Sequence, residues 1–85
     1  MSKYTVIITK SVYKLLGKLP NKTATTLENK MLELEKNPRP HGCTKLQGRD
    51  GYRIRSGDYR IIYEIDDSII TVTVIDVGHR KEIYR

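Results

Sequence analysis

The apolar residues of this chain keep two different periods. The change falls at a proline-rich segment, NPRPHG at 37–42. Before it, Val12, Leu15, Leu16 and Leu19 recur at helical spacing, as do Ala24, Leu27, Met31 and Leu34. Residues three and four apart lie on one side of an α-helix, so each set makes one apolar stripe. Beyond the segment the period falls to two. Tyr59, Ile61, Tyr63 and Ile65 alternate with Arg60, Ile62 and Glu64. That is the pattern of a strand with one buried face. Helices in one block and strands in another predict an α+β fold, with a helix pair on one face of a largely antiparallel sheet.

The boundaries follow from local chemistry. Residues 3–8, KYTVII, are rich in β-formers and predict an N-terminal strand. Ser11 is placed to cap a first helix, which Gly17 weakens and Pro20 stops. Asn21 or Thr23 is placed to cap a second, running to about Glu35, so the two form an αα-hairpin. After the proline segment, strands are expected at 52–55, 59–65 and 69–77, joined by tight turns at 56–58 and 66–68. Gly78 is expected to end the third, and 82–84 to add a short last one. The result is an antiparallel meander of three to four strands following the αα-hairpin. With 85 residues the chain holds one domain, 1–85.

Size and composition exclude whole classes of function. A separate substrate lobe does not fit, and no run of about 18 apolar residues spells a membrane span. The sequence MSKYTVIITK has the pattern of a strand and not of a secretory leader. The single cysteine, Cys43, makes no internal disulfide and excludes a cysteine-rich zinc site. A reducing, cytoplasmic setting is the expectation. Two histidines, His41 and His79, give little for a metal site. No GxxxxGK[ST] loop is present to cradle a triphosphate, so no cofactor or metal is expected.

The charge is uneven. Lys+Arg total 16 against Asp+Glu 10, a formal net charge of +6. Residues 1–38 carry seven lysines and no arginine, and all seven arginines follow: Arg39, Arg49, Arg53, Arg55, Arg60, Arg80 and Arg85. Lysines on helices usually make a solvated face, whereas clustered guanidiniums suit phosphate. Alternation puts Arg53 and Arg55 opposite Tyr52 and Ile54, and Arg60 opposite Ile61. If the helices cover the apolar set, Arg53, Arg55 and Arg60 share the open face of one hairpin. The competing reading is that nearby acids neutralise them as surface pairs of little individual worth. Glu64 is the one acid expected on that face. At the C-terminus Tyr84 lies between Arg80 and Arg85, and basic residues around an aromatic suit single-stranded nucleic acid. His79, beside Arg80, is a candidate proton carrier.

These residues carry a resemblance. The stretch GYRIRSGDYRIIY at 51–63 followed by VIDVGHRKEIY at 74–84 resembles the RelE/ParE toxin superfamily, and within it the RelE-type mRNA interferases. The likeness spans essentially the whole chain. It implies the toxin of a type II toxin–antitoxin pair: a metal-independent endoribonuclease that cuts mRNA in the ribosomal A site. Position by position, it implies active-site roles for Arg53, Arg55, Arg60, Arg80 and Tyr84. Lys45 and His79, with Arg49 and Arg85, are implied to assist or to hold RNA. Some family members carry lysines where Arg53 and Arg55 stand. The implied partners are a RelB-like acidic antitoxin, in a toxin–antitoxin hetero-oligomer, and the 70S ribosome with its mRNA and ribosomal RNA. Two alternatives stay open at this point: a ParE-like gyrase inhibitor without nuclease chemistry, and a non-catalytic RNA-binding module.

Overall fold

The structure, a computed structural model, describes residues 3–79. It runs β1 (Thr5–Ile8), α1 (Lys10–Gly17), α2 (Asn21–Leu32), a 3₁₀ turn (Glu33–Glu35), β2 (Thr44–Lys45), β3 (Tyr52–Ser56), β4 (Tyr59–Asp66) and β5 (Thr71–His79). The fold is α+β, as the two periods imply. The strands form one sheet in the order β1-β5-β4-β3-β2. The meander from β2 to β5 is antiparallel, while β1 lies parallel to β5. A parallel neighbour requires a crossover connection. Here the first strand returns to the sheet beside the last described one, and the chain between them includes the helix pair.

The helical stripes enter the core as their spacing demands. Val12, Leu16, Leu27, Met31 and Leu34 are buried against Ile54, Ile61, Tyr63, Val72, Val74 and Val77. Each such side chain stabilises the fold by roughly 1.5–3 kcal/mol relative to exposure. Tyr63 is fully buried, and its hydroxyl donates to the Pro38 carbonyl at 2.7 Å. That bond satisfies the one polar atom of the ring and ties the proline segment to the sheet. Burial, with Cys43 beside it, pushes the Tyr63 phenol well above its ordinary pKa.

Several boundaries differ from the sequence reading. Helix α1 starts at Lys10, so Ser11 lies inside it and Thr9 takes the N-cap position. Pro20, and not Asn21 or Thr23, is the N-cap residue of α2. Its fixed φ suits an entry to a helix as well as a stop. The two-residue edge strand β2 was not expected, being too short to show a period. Strand β5 begins at Thr71: Ile69 and Ile70 lie exposed in the turn, Ile70 at φ 51°. Gly78 does not end the strand, since it pairs with Arg60 and His79 continues opposite Tyr59. The short strand expected at 82–84 lies outside the described residues.

One irregularity reassigns a face. Ile62 pairs with Asp76 but Tyr63 pairs with Val74, so Ile75 is an extra residue in β5. Such a bulge flips the alternation beyond it. Val72, Val74 and Val77 therefore all face the helices, although a strict period of two separates Val77 from the other pair. Asp76 is left on the opposite face with Thr71 and Thr73.

Candidate active site

The β3–β4 hairpin builds the site. Its two-residue loop is Gly57-Asp58, and Gly57 at φ 61° takes the left-handed conformation that a tight hairpin of this kind needs at its first central residue. That turn sets the register: Arg55 stands directly opposite Arg60, and Arg53 opposite Ile62. Directly opposed residues share a face, with Cβ atoms about 4.5–5.5 Å apart. Arg53, Arg55 and Arg60 thus lie together on the face away from the helices.

That face is not uniformly open. Arg55 is exposed and Arg53 half-buried, but Arg60 is only 7% exposed and Ile62 only 8%. The reason is position: β4 is the middle strand, so its side chains are flanked from both neighbours. Among the described residues, neither Arg53 nor Arg55 forms an ion pair. Among the described residues, then, no acid neutralises these two, as the competing sequence reading would have it. The acids on this face are Glu64, opposite Thr73, Asp66, opposite Thr71 at the far end of the strand, and Asp76, opposite Ile62 and diagonal to Arg60. Asp76 went unrecognised in the sequence because only the bulge brings it round. Its Oδ1 accepts the Val77 N–H at 2.9 Å.

The other expected site residues are distributed differently. Lys45 pairs with Tyr52 and so belongs to the helix side, its ammonium 5.2 Å from the centre of the Tyr52 ring. His79 pairs with Tyr59, also on the helix side, and the two rings meet edge to face at 5.7 Å. Arg49 is exposed in the β2–β3 loop. Arg80, Tyr84 and Arg85 lie outside the described residues.

Arg39 does meet an acid. It donates from Nη2 to Asp67 at 2.9 Å and from Nε to the Tyr52 hydroxyl at 3.2 Å, and Tyr4 donates to Asp67 at 2.6 Å. The guanidinium and the Tyr4 hydroxyl hold the Asp67 carboxyl below its ordinary pKa, while the same bond to Asp67 raises the Tyr4 phenol. This cluster ties the N-terminus, the proline segment and the β4–β5 turn together. Among the described residues, no group of three His, Cys, Asp or Glu side chains is arranged to hold a metal ion. No helix there is long and apolar enough to cross a membrane.

Opposed guanidiniums on a shared face offer positive charge and several donors suited to a phosphate. Comparison with known proteins settles the family. Residues 6–84 match the model described as the ParE toxin of type II toxin–antitoxin systems, parDE. The chain belongs to this family. It is 36% identical over 84 residues to toxin RelG of Mycobacterium tuberculosis, covering 96% of this chain and 97% of that one. It is 38% identical over 72 residues to the mRNA interferase toxin RelE of Escherichia coli, covering 79% of this chain and 75% of that one. A chain of the archaeal RelE–RelB complex from Pyrococcus horikoshii superposes with a TM-score of 0.83 at 31% identity, over 94% of this chain and 98% of that one. Within the RelE/ParE superfamily the chain is RelE-like, a type II toxin.

Proposed function

We propose that this toxin is a ribosome-dependent endoribonuclease, which cleaves mRNA in the A site without a metal. The 2′-OH of one nucleotide attacks the adjacent phosphorus and loses its proton. The bond to the 5′-oxygen breaks, and that oxygen takes up a proton. A 2′,3′-cyclic phosphate results, and a water that adds to its phosphorus and breaks the bond to the 2′-oxygen opens it to a 3′-phosphate end. The phosphorane between these states is dianionic, and guanidiniums aimed at it lower the barrier. Arg60, with Arg80, would clamp the scissile phosphate, and Arg53 and Arg55 would support the charge and hold the backbone. Tyr84 would stack on or orient a base. An arginine stays protonated near neutral pH, so none of the four is suited to take the 2′ proton.

The observation that carries this reading is the Arg55–Arg60 pair with Arg53 beside it, on one face, with no acidic partner for Arg53 or Arg55 among the described residues. Sequence similarity to a named mRNA interferase supports it. The partners follow from the same reading: the 70S ribosome, and an acidic RelB-like antitoxin that wraps a small basic protein of net charge +6. On this reading it acts in the cytoplasm. Primer extension on mRNA from translating ribosomes tests the proposal. Cuts at a fixed codon position in the A site are expected. Intact mRNA together with DNA breaks would overturn it in favour of gyrase inhibition, the activity of the ParE-like alternative.

A further inference from the structure

At the hairpin tip, the row of residues next to Arg55 and Arg60 is Ser56 and Tyr59, which point to the other side of the sheet. The start of α2 lies beside this row. Between them is a groove of about 310 Å³, lined by Lys22, Thr23, Thr26, Asp58 and Tyr59, with the buried Leu27 in its wall. The volume falls in the range of small-molecule sites. We infer that this groove receives the base of a nucleotide adjoining the phosphate held by Arg55 and Arg60, and that Asp58 selects a base bearing an exocyclic amino group. The inference rests on the ribonuclease reading and names a specificity residue for it.

Continuity argues for the occupant. The two rows are one residue apart along the strand, about 3.4 Å. Only the Gly57-Asp58 crest separates the faces, and Gly57 puts no side chain on it. A strand of RNA leaving the arginine pair therefore passes over the crest into the groove. Charge and chemistry then sort its parts. The exposed Lys22 offers a cation for the next phosphate. Tyr59 supplies a ring for stacking, held in place by the His79 ring against it. Thr26 donates its hydroxyl to the Lys22 carbonyl at 3.0 Å, which leaves its oxygen lone pairs for a base donor.

Asp58 is the discriminating group. An ionised carboxylate only accepts hydrogen bonds. Cytosine, adenine and guanine each carry an amino group to donate, whereas uracil presents a carbonyl oxygen where cytosine has its amine. Two acceptors facing each other repel, so uracil is disfavoured.

Hexanucleotides of cytidine and of uridine, both 2′-O-methylated so that no attack can occur, give the test. Binding to the intact chain is followed by fluorescence anisotropy and by amide shift mapping. Cytidine hexamers are expected to bind about 5-fold or more tightly than uridine hexamers. Shifts are expected at Thr23, Thr26, Gly57 and Tyr59. Asp58→Asn is expected to bring the two affinities within about 2-fold, Asp58→Ser to do the same, and Lys22→Ala to weaken both equally. Equal affinities in the unmodified protein would overturn the inference. So would a preference that survives both Asp58 substitutions, or shifts confined to the arginine face. Because these oligonucleotides are not cleaved, base preference in the groove and cutting on ribosomes succeed or fail separately.

Discussion

The two ends of the β3–β4 hairpin hold arginines in opposite conditions. At the open end Arg39 is matched: Asp67 takes two of its hydrogen bonds, Tyr52 takes another, and the ring of Tyr52 lies 5.3 Å from the guanidinium carbon. At the turn end Arg55 faces Arg60, like charge on like, with Arg53 beside them. The first arrangement stabilises the native state by itself. The second sets like charge directly across a strand pair, a repulsion that works against that state. Residue type is the same at both ends, so the register and not the composition decides that Arg39 meets an acid while Arg55, among the described residues, does not.

The comparison breaks first at Arg60. Arg60→Ala should lower single-turnover cleavage of ribosome-bound mRNA about 10²–10³-fold, the usual cost of removing one donor aimed at transition-state charge. Unchanged cleavage would place the chemistry elsewhere. Arg39→Ala should leave cleavage within a few-fold while loosening the fold, so a kinetic loss like that of Arg60→Ala would erase the distinction between the two ends. Tyr63→Phe tests what anchors the open end. Removing the hydroxyl orphans the buried Pro38 carbonyl and should cost about 1–2 kcal/mol in urea unfolding.

The smallest effect is a pH dependence. Asp67 is lowered chiefly by Arg39 and then by Tyr4. The folded form therefore binds a proton less readily than the unfolded chain. The stabilisation is present above the ordinary carboxylate pKa of about 3.9, and it is lost as pH falls through the lower folded value. Wild-type and Asp67→Asn stabilities should accordingly differ at neutral pH and converge in acid. A gap that widens in acid would contradict the sign.

The sequence reveals much of this, and its failures have physical causes. The change of period separates helices from strands, and both apolar stripes reach the core. Alternation also puts Arg53, Arg55 and Arg60 on one face, because a two-residue turn leaves the register no freedom. Three things stay hidden. The partner of β1 is a parallel neighbour more than 60 residues away, which no local signal encodes. Ile75 is an extra residue in β5, so Asp76 reaches the arginine face against the alternation. Lys45 joins the arginines by the resemblance, and His79 also by its place beside Arg80, while strand parity turns both towards the helices. Proximity along a strand is not proximity on a face.

The central claim is that the sheet holds Arg55 against Arg60 at a cost to the fold. Equilibrium unfolding of Arg55→Gln at low ionic strength measures that cost. The variant is expected to be more stable than the wild type, by roughly 0.2–1 kcal/mol, with the gain shrinking as salt screens the pair. A less stable variant would show that Arg55 supports the structure as Arg39 does, and would contradict the account.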